Sequence, residues 1–86
     1  MLKRNVAHLA KLLDKKKRGW AKLVDTKKLN MIDLYDCVLG QVFGSYSKGF
    51  SDLMLDPKRG NIQGFVNPDA RPFWLLEIAT RLKKKK

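Results

Sequence analysis

The sequence predicts a mostly α-helical fold, with three to four short helices around one core and a Pro/Gly-rich loop or small hairpin before the last helix. Two observations lead to this fold class. Apolar residues recur at helical spacing in the N-terminal, central and C-terminal segments, and Pro, Gly and Asn concentrate between residues 56 and 71. The 86 residues suffice for one modest core. We therefore expect a single domain over residues 1–86, with residues 83–86 as a frayed basic tail.

An amphipathic helix is expected at the N-terminus. Its apolar stripe has spacings of four, three and four residues: Leu2, Val6, Leu9 and Leu13. The basic run 15–18 falls at the C-terminal end of this helix, where cations suit the helix dipole, and Gly19 fits a helix stop. A second, short apolar cluster begins at Trp20.

The central segment has the most complete helical pattern. Its apolar residues recur at i, i+3, i+4, i+7, i+8, i+11 and i+12, namely Met31, Leu34, Tyr35, Val38, Leu39, Val42 and Phe43. This spacing predicts one core-facing helix from Met31 to Phe43. A neighbouring row of small residues and one amide is expected to seat another element, such as the Trp20 cluster or the last helix. The row consists of Cys37, Gly40, Gln41 and Gly44.

A short third helix is expected over residues 45–55, because apolar residues keep helical spacing there and Pro57 ends the pattern. The following segment, residues 56–71, is rich in turn formers. It predicts a loop, with a small hairpin around Gly60 and Asn61 as the other option.

Pro72 suits the first turn of a last helix. Apolar side chains surround most of that helix, so either it crosses the middle of the fold or part of it stays exposed as a contact patch. Phe73 and Trp74 are the candidate protein-contact residues in the second case.

The charge of the chain is large and uneven. The net charge is +11, with +8 in residues 1–28, −2 in residues 29–80 and +5 in residues 81–86. Clustered cations attract polyanions, and 14 Lys against five Arg favour diffuse attraction to phosphates over bidentate base recognition. A solvated surface that keeps the protein soluble is the alternative interpretation. The candidate nucleic-acid-binding residues are Lys3, Arg4, Lys11, Lys15, Lys16, Lys17, Arg18, Lys22, Lys27, Lys28, Arg81, Lys83 and Lys84.

Catalysis, metal binding and cofactor binding have little support in the sequence. Cys37 is the only cysteine and His8 the only histidine, which excludes an internal disulfide and a Cys/His metal site. Cys37 has carboxylates nearby, which raise the pKa of a thiol, so a buried packing role is favoured over a nucleophile. No apolar run is long enough to cross a bilayer. We expect a cytoplasmic protein without catalytic residues or cofactor.

A helix-turn-helix over residues 36–55 is a further interpretation, with Gly44 as the turn glycine. It would direct Tyr46, Ser47 and Lys48 toward a DNA groove. Gly49 weakens the proposed recognition helix, and the segment is slightly acidic, which is the wrong sign for phosphates.

The segments GWAKLVD and CVLGQVFGSYSKGF resemble a family of small uncharacterised bacteriophage and bacterial proteins. The resemblance covers roughly residues 19 to 50, and CVLGQ is its most specific part. It implies a phage or prophage origin and a cytoplasmic accessory role, but no activity, cofactor or catalytic residue. Family members are more acidic, so the lysine-rich ends are a feature of this chain.

Three functions follow as hypotheses. The first is a basic accessory protein that binds nucleic acid, without sequence preference, through its lysine-rich ends. The alternative is a phage-encoded effector or inhibitor that binds a host protein, and the second alternative is the helix-turn-helix regulator. Homodimer formation is compatible with all three.

Overall fold

The computed structural model describes residues 2–54 and 63–84. The helices in this part are α1 (Leu2–Lys16), α2 (Trp20–Leu23), α3 (Val38–Phe43), α4 (Tyr46–Asp52), α5 (Gln63–Val66) and α6 (Arg71–Lys84), with a 3₁₀ turn at Pro68–Ala70. The described ranges contain no strand, which confirms the mostly α-helical prediction. None of the described helices is long and apolar enough to cross a membrane.

The first helix forms as predicted and supplies one wall of the core. It buries four side chains of its apolar face, which are Val6, Leu9, Ala10 and Leu13. This face lies against α5 and α6. Gly64 of α5 comes so close that an added Cβ would lie 2.8 Å from Leu9 Cδ1, and its N–H donates to Asn5 Oδ1 at 2.6 Å.

Three aromatic rings form the centre of the core. The ring of Trp74 meets that of Trp20 edge-on, with centroids 5.6 Å apart, and stacks on Phe65 at 5.4 Å. The indole N–H of Trp74 donates to the Gly64 carbonyl at 2.6 Å, so its polar atom is satisfied inside the core. Trp74 is therefore fully buried and cannot contact a partner protein, contrary to the sequence prediction. Phe73 is half-buried and packs against the same core.

The predicted central helix from Met31 to Phe43 is wrong over its first half, because helix α3 begins only at Val38. Asn30 Oδ1 accepts the N–H of Ile32, and Asp33 Oδ1 accepts those of Tyr35 and Asp36. These local bonds stabilise turns over residues 30–36 in place of the helical ladder.

Exposure confirms that the first half of this segment does not follow the predicted stripe. Met31 is buried, but Leu34 and Tyr35 are 58% and 65% exposed. The residues of the second half, Val38, Leu39 and Val42, are buried as expected. The correct part of the stripe is therefore the part within α3.

The second half of the chain contains more helix than the sequence predicts. Helix α4 starts after Ser45, whose Oγ accepts the N–H of Lys48 at 3.1 Å. Two short helical segments, α5 and the 3₁₀ turn, occupy part of the region expected to be a loop. The candidate hairpin at Gly60 and Asn61, and the stop at Pro57, lie outside the described residues. Helix α6 continues through Lys83 and Lys84, where a frayed tail was expected.

Gly40 provides a stability test. A Cβ at this position would lie 2.5 Å from the backbone of Tyr35, which cannot move without displacing the turn. Gly40→Ala should lower the free energy of unfolding by at least ~2 kcal/mol in urea titrations, despite the better helix propensity of Ala. Gly19→Ala is the control, because nothing lies within 4 Å of its Cβ position and only its left-handed φ of 81° adds a cost, of about 1 kcal/mol. Equal stability of the Gly40 variant and the wild type would contradict the close backbone contact.

Candidate nucleic-acid interface

Helix α1 carries a continuous basic face opposite its buried one. Arg4, His8, Lys11 and Lys15 are spaced by four, three and four residues, so they align along one side of the helix. All four side chains are exposed. We call this set the α1 stripe. It extends ~16 Å, at 1.5 Å of rise per residue.

Asp14 is the one acidic residue of α1, and its carboxylate is held by other groups. Arg81 binds both of its oxygens, with Nε to Oδ1 at 2.8 Å and Nη2 to Oδ2 at 2.7 Å. The indole N–H of Trp20 donates to Oδ1 at 2.9 Å. Asp14 is thus paired with Arg81.

Arg81 is partly buried and already paired with other groups, which argues against its assignment as a nucleic-acid-binding cation. Its Nη1 also donates to Oε1 of Glu77 at 2.7 Å, and its guanidinium lies over the Trp20 ring, 5.4 Å from the centroid. The hydrogen bonds to Asp14 raise the pKa of Arg81 above its already high usual value. Two carboxylates and an aromatic face occupy this cation, so its role is to join α6 to α1 and α2.

The Asp14–Arg81 bridge brings basic residues from the two ends of the chain to one end of the fold. The last turn of α1 and the last turns of α6 meet there. The exposed cations carried by these turns and by the adjoining segment are called the basic end: Lys16, Lys17, Arg18, Lys22 and Lys83. The side chain of Lys84 lies outside the described residues.

The other candidate cations lie elsewhere. Lys3 is exposed at the start of α1. Lys27 and Lys28 are exposed in a turn that Arg71 fixes to the start of α6, through bonds to the carbonyls of Thr26 and Leu29, both at 3.0 Å. The turn with Lys27 and Lys28 therefore lies at the start of α6, whereas the cations of the basic end lie near the last turns of α1 and α6.

Three members of the small-residue row of α3, the cysteine and the two glycines, have local structural roles. Cys37 caps the helix, with Sγ accepting the N–H of Gly40 at 3.2 Å, and burial raises the pKa of its thiol. Gly40 contacts the preceding turn, and Gly44 ends the helix in a left-handed conformation with φ of 103°. The row was expected to seat the Trp20 cluster or the last helix. This prediction is wrong for Gly44, because nothing lies within 4 Å of its Cβ position. Gly40 does make a close contact, but its partner is the backbone of the turn at Tyr35.

Gln41 makes contacts that the sequence did not indicate. Its Oε1 accepts the N–H of Asp25 at 2.5 Å, and its Nε2 donates to the carbonyls of Asp25 and Asp36 at 3.2 and 3.0 Å. One amide therefore fastens both ends of the segment 25–36. The described residues contain no group of three or more His, Cys, Asp or Glu side chains placed to hold a metal ion.

The two helices of the helix-turn-helix interpretation pack on each other, but they are short. Helix α4 has seven residues and spans only ~10 Å. Tyr46 is half-buried, and Lys48 forms an ion pair with Asp52 at 3.0 Å. Of the three side chains predicted to face a groove, Ser47 alone is exposed without an ion pair to a neighbour. Recognition of DNA by helices α3 and α4 stays a prediction.

No protein-family model matches the chain, and neither a curated protein nor a solved structure is significantly similar to it. The resemblance to small bacteriophage proteins therefore stays a prediction. The function has to be argued from the geometry of the chain.

The bridge between α1 and α6 can be tested by a change that keeps the charge. Arg81→Lys removes the bidentate bond to Asp14, and it should lower the free energy of unfolding by about 1 kcal/mol, since the pair is partly exposed to solvent. Lys48→Gln is the matched control, because the Lys48–Asp52 pair is more exposed and should contribute less than ~0.5 kcal/mol. Urea titrations of both variants measure the difference. Equal losses would show that the bridge is an ordinary surface ion pair.

Alkylation tests whether Cys37 is reactive. The thiol is 2% exposed and burial raises its pKa, so iodoacetamide near neutral pH should label the native protein at least about a hundredfold more slowly than the urea-unfolded chain. A Ser51→Cys substitution in a Cys37→Ala background provides an exposed thiol as the control. Rapid labelling of native Cys37 would contradict its buried packing role and favour a nucleophilic thiol.

Proposed function

We propose that this protein binds nucleic acid through its sugar–phosphate backbone, using the α1 stripe and the basic end. The observation that carries the proposal is the stripe itself. It is a straight row of exposed basic side chains on one helix, and the one carboxylate of that helix, Asp14, is bound to Arg81. Each strand of a duplex carries one phosphate per ~3.4 Å of the helix axis, so the ~16 Å stripe lies within reach of several phosphates, and Arg4, Lys11 and Lys15 supply three cations to them.

The residue types of the surface favour binding without sequence preference. Lysine dominates the described members of the two basic sets, and an ammonium group interacts with phosphate as a point charge. Two of the chain's arginines, Arg71 and Arg81, hold backbone carbonyls and carboxylates inside the fold. Arg4 and Arg18 are the two arginines of this surface, so attraction between lysines and phosphates outweighs bidentate recognition of base edges.

The proposal includes an accessory role in the cytoplasm, where such a protein meets DNA and RNA, and the resemblance to phage proteins agrees with a host cell as the setting. Neither point is needed for the physical argument. The proposal contains no catalytic step, because the α1 stripe and the basic end supply only electrostatic attraction.

Salt titration tests the proposed function. Fluorescence anisotropy with a labelled duplex should give an affinity that falls linearly on logarithmic axes as salt rises, because each neutralised phosphate releases counterions. The triple variant Arg4→Gln/Lys11→Gln/Lys15→Gln should bind at least about tenfold more weakly and with a slope smaller by about 2 to 3.

Lys48→Gln provides the control in this experiment as well. Lys48 is exposed but lies outside the α1 stripe and the basic end, so its loss should change the slope by less than ~1. An affinity for the duplex that does not change with salt would exclude the proposal. Equal effects of the triple variant and the control would exclude the stripe as the binding surface.

A further inference from the structure

His8 belongs to the α1 stripe and is the only histidine of the chain. Its side chain is exposed, and the buried residues of α1 lie on the other side of the helix. At 3.6 residues per turn, Arg4, Lys11 and Lys15 all lie within ~60° of His8 around the helix axis. A nucleic-acid backbone that follows the stripe therefore passes His8 as well as these three cations.

The residue types of the stripe differ in how their charge depends on pH. Histidine is the side chain whose ordinary titration falls between about pH 5 and about pH 8, whereas lysine and arginine ordinarily stay charged over that range. A protonated imidazole is a cation with two N–H donors, and the neutral ring has one donor and one acceptor. The stripe thus carries three charges with His8 neutral and four with His8 protonated.

The neighbours of His8 on α1 include cations and no carboxylate. The positions three and four residues away, which adjoin it on the helix surface, are occupied by Arg4, Asn5, Lys11 and Leu12. Asp14 lies six residues along the helix, ~120° around its axis from His8. Its carboxylate accepts bonds from Arg81 and Trp20, so it is engaged on another side of the helix.

Three other elements pack against α1, namely α5, the 3₁₀ turn and α6. Helix α5 has no ionisable side chain. The charged residues with described side chains on the other two elements are Asp69, Arg71, Glu77, Arg81 and Lys83. Of these, Arg81 reaches α1, and it pairs with Asp14 and Glu77. The described contacts between α6 and α1 that involve charge are therefore made at Asp14 and leave His8 in the exposed row.

We propose that protonation of His8 adds a fourth cation to the α1 stripe, so that the protein binds nucleic acid more tightly as the pH falls. This inference rests on the proposed function. Phosphates attract an imidazolium and not a neutral ring, so the nucleic acid binds the protonated form of the protein more tightly. By linkage, binding then takes up a proton, and the affinity rises as the pH falls through the range in which His8 titrates.

Fluorescence anisotropy at about pH 8 and about pH 5.5 tests this inference, with a labelled duplex whose ends carry no phosphate group. The wild type should bind at least about threefold more tightly at the lower pH, with a salt slope larger by up to ~0.9, the contribution of one more neutralised phosphate. His8→Gln should bind at both pH values as the wild type binds at the higher one. His8→Lys should bind at both as the wild type binds at the lower one.

A histidine placed elsewhere provides the matched control. Lys48→His in the His8→Gln background introduces an exposed histidine outside the α1 stripe and the basic end, and it should not restore the pH dependence. In the wild type, the duplex should also move the NMR titration of the His8 ring protons to higher pH, because linkage is reciprocal. The single histidine makes the assignment of these signals unambiguous.

The outcomes separate this inference from the proposed function. An affinity of the wild type that does not change with pH, or an equal pH response of the wild type and His8→Gln, would overturn the inference. A full pH response of the Lys48→His control would overturn it as well, because the position in the stripe would then not matter. Salt-dependent binding at the higher pH would leave the proposed function standing in each case. Absence of binding at both pH values would overturn both.

Discussion

One carboxylate, Asp14, connects the helices that define the basic end of the fold. It accepts two bonds from Arg81 of α6 and one from Trp20 of α2, while belonging to α1 itself. Packing and electrostatics are thus linked, because the pairing that joins the helices engages the one carboxylate of α1.

The conformation of segment 25–36 depends on a second contact, in which Gly40 lies close to the turn before α3. Only a residue without a side chain allows the backbone of Tyr35 to approach this closely. Gln41, one residue later, then fastens the ends of segment 25–36. The two adjacent residues account for a loop that is ordered and yet presents hydrophobic side chains to solvent.

The sequence predicted the elements whose cause is local. The stripe of α1 follows from residue spacing, and the break after α3 follows from Gly44 and the Ser45 cap. It failed over residues 31–36, where apolar periodicity suggested a helix although Asn30 and Asp33 stabilise turns. Asn30 and Asp33 at the start of the predicted helix were the residues in the sequence that could have indicated turns.

The roles of the arginines could not be predicted, because they depend on contacts between residues 42 to 67 positions apart. Arg71 and Arg81 form planar, directional bonds inside the fold, and lysine makes up most of the outward charge. Substitutions among the surface lysines can therefore change the strength of the electrostatic field without loosening the core. On the proposed function, such a surface is expected to respond to the number of phosphates and to salt, and not to base sequence.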